Sequence, residues 1–179
     1  MSNIFFTSDS HFFHKNILKY CPNSRRFSDV LEMNERLIEK WNSQVMNRDI
    51  VYHLGDLSFG DAGKTLEVLG RLRGTLHLIK GNHDNLWLDE NSGKRFKSVA
   101  EYQRIKIGNT KVILFHYPIS RWDCQDHGAY HLYGHVHGSF KMSGRSMDIG
   151  VDTRDDCGLW SWEEVDSTLK DLPIINHHT

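Results

Sequence analysis

An α/β fold on a mostly parallel sheet is what this sequence predicts, and three observations carry it. Short apolar runs alternate with helical periodicity through the first half of the chain. Those runs close on Gly, Asp, Asn or His. The chain has 179 residues, 39% of them hydrophobic and 25% charged, which is ordinary globular composition and enough length for one good core. The expected organisation is one domain over residues 1–175 and a short tail at 176–179 that takes no part in the chemistry.

Ile4 to Ser8 is an apolar run closed by Asp9, and it reads as a buried first strand delivering Asp9 and His11 at its C-terminal end. From Asp29 onward, Val30, Met33, Leu37, Ile38, Trp41 and Val45 recur at helix spacing, with Asp29 and Glu32 as an N-terminal capping pair. This helix should cover one sheet face. Ile50 to Leu54 is a second strand closed by Gly55-Asp56, and Lys64 to Leu72 is a helix before Gly74. Thr75 to Ile79 is a third strand ending at Gly81-Asn82-His83-Asp84. Strand, helix, strand, helix, strand is the order of crossover units on a parallel sheet.

The second half differs, because Tyr102 to Ile107 and Lys111 to Phe115 flank Gly108-Asn109-Thr110 as a hairpin does, and His116 closes its second strand. Further strands are predicted at Tyr130 to Tyr133 and Ser146 to Ile149. A closing helix is predicted at Ser161 to Leu169, with Glu163 and Glu164 in its first turn. The sequence has no internal repeat and no low-complexity tract.

Lys+Arg at 22 against Asp+Glu at 23 leaves no broad positive field for holding nucleic acid non-specifically. No stretch approaches the roughly 20 apolar residues that a membrane span needs, and Met-Ser-Asn-Ile-Phe-Phe lacks a basic leader, so a soluble cytoplasmic protein is expected. Cys21, Cys124 and Cys157 are far apart and form no C-x-x-C pair, which favours reduced thiols over a disulfide framework or a zinc ribbon.

Twelve histidines is a high count, and their placement is what needs explaining. Polar clusters sit at five strand ends: Asp9-Ser10-His11, Gly55-Asp56, Gly81-Asn82-His83-Asp84, Phe115-His116 and Gly134-His135-Val136-His137-Gly138. The carboxyl ends of strands in α/β sheets are where ligands bind, because the rigid backbone there fixes side chains that loops alone leave mobile. Imidazole, carboxylate and carboxamide donors without thiolate suit Mn²⁺, Zn²⁺ or Fe better than a structural zinc. Seven donors are too many for one ion. A carboxylate has two oxygens and can bridge two ions, which in such sites lie roughly 3.5 to 4 Å apart and clamp an in-line phosphoryl displacement.

The series D-x-H, G-D, G-N-H-D, H and G-H-x-H over residues 9 to 138 resembles the calcineurin-like metallophosphoesterase superfamily, and the run Asp148-Ile149-Gly150-Val151-Asp152 is similar to its short members. The resemblance implies a four-layer αββα sandwich of two mixed β-sheets flanked by helices, with two divalent metals at one edge. Manganese is the first expectation, with zinc, iron or nickel as alternatives. It implies that Asp9, His11 and His137 hold one ion and Asn82, His116 and His135 the other, with Asp56 bridging and His83 as the catalytic histidine beside them. The implied reaction is attack on phosphorus by a metal-bridging hydroxide. The expected substrate is a small phosphoester, with a nucleotide-like phosphodiester as the first choice; a phosphomonoesterase, a nuclease and a non-catalytic interaction module are the alternatives.

One departure bears on His83. Many family members continue the second motif as G-D-x-x-D, whose last Asp orients the catalytic histidine, but this chain has Phe59 there. The orienting group is then Asp61, Asp84 or a backbone carbonyl, or His83 acts without a carboxylate partner. His14, Arg26 and Arg121 are candidate substrate contacts, the arginines because guanidinium matches phosphate oxygens bidentately. Trp87, Trp122, Trp160 and Trp162 could line a base or sugar, although packing is the commoner use of such rings.

Overall fold

The computed structural model describes residues 2–176. Of the expected tail at 176–179, all but Asn176 lies outside the described residues. Among the described residues nine strands form two sheets. The first has the order β4-β3-β2-β1-β9, with β1 (Ile4–Thr7), β2 (Ile50–His53), β3 (Thr75–Ile79), β4 (Ser98–Ala100) and β9 (Trp160–Ser161). Its pairings are parallel except β1 with β9, in which Phe6 faces Trp160. The second has the order β5-β6-β7-β8, with β5 (Tyr102–Ile107), β6 (Thr110–Phe115), β7 (Tyr130–Tyr133) and β8 (Ser146–Asp148). Only the predicted hairpin β5-β6 is antiparallel there. Both sheets are therefore mixed, as expected.

Strand alternation sorts the core. Phe5, Val51, Leu76 and Leu78 point to one face of the first sheet, where helices α2 (Val30–Gln44) and α3 (Ala62–Arg71) supply Met33, Leu37, Ile38, Trp41, Val68 and Leu69. Phe6, Leu54 and Ile79 point the other way and meet Val112, Leu114 and Leu132 of the second sheet, with Val165 and Leu169 of α5 (Trp162–Leu169) in the same cluster. Each such burial contributes about 1.5–3 kcal/mol. On the outer face of the second sheet, Ile113 packs with Trp122 and Ala129. Two one-turn helices, α1 (Ile17–Tyr20) and α4 (Glu90–Gly93), lie in the connections.

Helix ends follow from their caps. The Asp29 carboxylate accepts from the N–H groups of Leu31 and Glu32, while Glu32 reaches past Asp29 to the Ser28 N–H and hydroxyl, both at 2.7 Å. The predicted pair thus caps the helix with its second member shifted by one residue. Ser161 and Glu164 close a reciprocal capping box at the start of α5.

Candidate metal centre

Because β1, β2 and β3 run parallel, their C-terminal ends reach one edge of the sheet, and the loops beyond them hydrogen-bond to each other. Asp9 N–H donates to Gly55 O at 2.9 Å and His11 N–H to Asp56 O at 3.1 Å. The second sheet joins through a Ser8–Gly150 bridge and through His135 N–H, which donates to Asp9 Oδ2 at 2.9 Å. Asp9, His11, Asp56, His135 and His137 all have left-handed backbone, with φ between 49° and 69°. Such geometry costs a non-glycine residue about 1–3 kcal/mol and persists only where the surroundings enforce it. The glycines of the motifs have a steric reason. A Cβ at Gly81 would lie 2.3 Å from Asp56 Oδ1, and one at Gly134 would lie 2.4 Å from Asp9 Oδ2.

Two donor groups form. Asp9, His11 and His137 bring ligand atoms within 4.8 Å of one another, and so do Asp56, His116 and His135. Asp56 lies between the two groups: its Oδ2 is 3.8 Å from His11 Nε2 and 3.6 Å from His116 Nε2. Asn82 Oδ1 is 3.2 Å from His116 Nε2, which places the carboxamide with the second group. The donor set fits hard-to-borderline divalent ions, and the clearest sign is unmet hydrogen bonding. Asp9 Oδ1 and both ring nitrogens of His11 are buried without a partner, a state that burial in protein makes costly. His116 Nδ1 lies 2.7 Å from the Leu54 carbonyl, which can only accept, so the Nδ1 proton points there and in the neutral ring Nε2, beside the Asp56 and Asn82 oxygens, is the atom left to offer a lone pair to an ion.

Titration of the groups follows their surroundings. Burial pushes Asp9 up to about 6 against the opposing pull of His116 and His137. Burial and the neighbouring charges of His137 and Arg25 hold His11 far below the usual imidazole range, so it is neutral. Burial works against charge on His137, but the hydrogen bonds of the ring with Asp152 and Cys21 and the charges of Asp9 and Asp152 together outweigh it and carry the imidazole up to about 10.

Several supporting contacts carried no local signal. Arg25 is buried and pairs with Asp152, whose Oδ2 lies 2.7 Å from His137 Nδ1. Asp84 accepts from the N–H groups of Asp56, Leu57 and Gly81 and from the Trp87 indole, which braces the loops after β2 and β3. Its oxygens are therefore occupied by these donors, and Asp61 caps α3 in solvent. Asp56 Oδ2, at 3.9 Å, is the only carboxylate oxygen within 4 Å of the His83 ring among the described residues. His83 instead packs against Phe59, with ring centroids 4.5 Å apart, and its side chain is 40% exposed.

The three candidate substrate residues part company. His14 stacks on Phe59 at 3.8 Å and lies 5.3 Å from the His11 ring, beside the donors. Arg26 is exposed, donates to Asn23 O, and lines a groove between α2 and residues 155–157 that includes none of the candidate ligands. Arg121 is exposed and forms no hydrogen bond or ion pair among the described residues. Trp87 and Trp122 are buried in the cores, and Trp160 and Trp162 pack against the inter-sheet cluster. Tyr117 supplies a ring the sequence did not single out for the site, edge-on to His116 and His135 at 4.9 and 4.7 Å.

Residues 3–149 match the family model of the calcineurin-like phosphoesterase superfamily domain. The chain belongs to that superfamily. Among relatives of this calcineurin-like phosphoesterase, uncharacterized protein MJ1445 of Methanocaldococcus jannaschii is 42% identical over 76% of this chain and 70% of its own. The Gene 66 protein of Mycobacterium phage D29 is 30% identical over 96% of this chain and 98% of its own. The fold is shared with the protein of unknown function AQ665 from Aquifex aeolicus, at a TM-score of 0.73 and 24% identity, covering 94% of this chain and all of that one. Membership in this superfamily supports a metal-dependent phosphoesterase. No helix among the described residues is long and apolar enough to cross a membrane.

Proposed function

We propose that this phosphoesterase works with two divalent ions, one held by Asp9, His11 and His137 and the other by Asn82, His116 and His135, with Asp56 shared between them. The observation that supports this reading is the convergence of buried acceptors on Asp56 Oδ2, with His11 Nε2 and His116 Nε2 on either side of it and Asp9 Oδ1 left without a donor. Held by these residues, such ions would supply positive charge for the phosphoryl oxygens and a more acidic water for attack on phosphorus. The remaining chemistry falls to the protein. His83, exposed at the open side and 3.9 Å from Asp56 Oδ2, donates a hydrogen bond or a proton to the leaving oxygen. Phe59 holds that ring by packing rather than by a carboxylate hydrogen bond, and His14, stacked on the same Phe59, contacts the ester.

The substrate in this reading is a small or nucleotide-like phosphodiester and the resident metal manganese, which the nitrogen and oxygen donor set suits. Tyr20, 70% exposed and edge-on to His14, and Tyr117 on the other donor group offer flat faces for a planar substituent. Three free thiols are in keeping with a cytoplasmic setting, and residues 1–175 act as one domain in this account. The test is hydrolysis of p-nitrophenyl phosphate and bis-p-nitrophenyl phosphate by chelator-stripped protein with Mn²⁺, Ni²⁺, Mg²⁺ or Zn²⁺ restored singly. Metal-restored, diester-selective turnover is the expected result. Monoester selectivity would make it a phosphatase, and no turnover with fewer than two bound ions would make it a binding module.

A further inference from the structure

Arg25 and Asp152 are 127 residues apart, yet they form a buried clamp around the first donor group. Arg25 Nε donates to Asp152 Oδ1 at 2.8 Å and Nη2 to Oδ2 at 2.9 Å. The same guanidinium donates from Nη1 to Ser10 O at 2.8 Å and from Nη2 to Asp9 O at 2.5 Å. One side chain thus fixes the backbone that carries Asp9 and His11 and also the carboxylate that meets His137 at 2.7 Å. A carboxylate only accepts, so the contact assigns a proton to Nδ1 of His137 and leaves Nε2 as the ring atom that can offer a lone pair. In the second group the ring brace among the described residues is neutral: His116 is turned by the carbonyl of Leu54, while the Asp84 carboxylate holds loop backbone rather than a ligating ring.

Resting on the ligand reading above, we propose that Arg25 and Asp152 are positioning residues that set the affinity of the Asp9–His11–His137 group for its ion and leave the other group alone. Partners of this sort orient ligating imidazoles and raise their basicity, and losing one costs about 10- to 100-fold in metal affinity. A rival use of the same atoms is a separate thiolate site, since Cys21, His137 and Asp152 also bring ligand atoms within 4.8 Å of one another. Both Asp152 oxygens already accept from Arg25, and Oδ1 also accepts from Ser24 Oγ at 2.5 Å, so an ion there would have to displace a buried guanidinium.

The experiment is calorimetric titration of chelator-stripped protein with Mn²⁺, with bound ions counted by mass spectrometry and folding of the ion-free protein checked by circular dichroism. Asp152→Ala is expected to weaken one of two binding events by about 10- to 100-fold and leave the other unchanged. Asp152→Asn, which keeps an acceptor for Nδ1, should fall between it and the parent and remains informative if the alanine variant does not fold. His137→Ala is the benchmark and should abolish the same event; if it leaves both ions bound, the ligand reading itself fails. If His137→Ala removes the event while both Asp152 variants bind as the parent does, the clamp is overturned. Equal weakening of both events would also overturn it, as would a changed ion count in Cys21→Ser.

Discussion

The two donor groups are built from the same residue types but held by different physics. The Asp9–His11–His137 group is braced by charge, through the buried Arg25–Asp152 pair, and contains a carboxylate oxygen and two ring nitrogens with no donor or acceptor of their own. In the Asp56–Asn82–His116–His135 group the ring brace is neutral, the Leu54 carbonyl on His116, with the Tyr117 hydroxyl near Asn82 Oδ1; the Asp84 carboxylate holds the backbone of its loops rather than a ligating ring, and His135 is exposed. Charge bracing in a dry setting fixes geometry firmly but couples it to protonation. The second group also opens further to solvent, through His135.

The sharpest way to break this contrast is at the residue between the groups. Asp56→Asn removes the one carboxylate that faces both, and it should abolish metal-dependent hydrolysis of bis-p-nitrophenyl phosphate and reduce the bound ions below two. An active variant would remove Asp56 from the bridging position. Next comes His83, which belongs to neither brace. His83→Ala should keep both ions, by mass spectrometry, and lose about 10² to 10⁴ in kcat. Metal loss with an unchanged rate per ion would make it a ligand instead.

Glycine substitutions separate the groups sterically. Gly134→Ala drives a Cβ into Ser8 Oγ and Asp9 Oδ2, whereas Gly81→Ala drives one into Asp56 Oδ1 and the Asp56 backbone nitrogen. Each overpacking should cost about 1–3 kcal/mol in denaturant titrations. The first should weaken one ion only, and the second both. If Gly134→Ala weakens both equally, the groups are one mechanical unit.

How far this arrangement could be read in advance depended on where its causes lie along the chain. β3, β5 and β7 appear at their predicted limits because apolar runs and turn residues are local. The residues that converge at the sheet edge were singled out for the same reason, each following such a run. β4 and β9 were not, because three and two residues pair only through neighbours already in place. The Arg25–Asp152 pair and the stacking of His14 on Phe59 have no local pattern at all. In Arg25-Arg26, sequence offered two adjacent arginines, and the chain's turn buries the first and exposes the second. The mixed pairing of the second sheet also rests on long-range partners, since the hairpin alone says nothing of β7 or β8.

The smallest expected effect tests charge bracing in the ion-free protein. Asp9 sits at about 6, above its ordinary 3.8, so its protonated form is favoured on folding. A raised carboxylate contributes stability that is full below the unfolded value and lost as pH rises through the folded one. His137, raised to about 10, behaves alike in sign: its contribution is full below the ordinary imidazole value of 6.5 and lost as pH climbs through about 10. In chelator-treated protein the Asp9 contribution should therefore be lost in a first window between about 4 and 6 and the His137 contribution in a second between about 6.5 and 10; buried His11, His53 and His131, held low, gain stability as pH rises towards 6.5, so the first window is read as the difference between the parent and an Asp9 variant. Asp9→Asn keeps the shape without the charge. It should flatten the first window and raise ion-free stability at pH 8 by on the order of 1–3 kcal/mol, while forfeiting the first ion. Urea titrations at stepped pH decide the matter, and an Asp9→Asn curve parallel to the parent's would mean that Asp9 pays no penalty for its burial. Ion binding would then owe its strength to the supporting residues alone, since no unmet charge would be waiting in the first group for a cation to relieve.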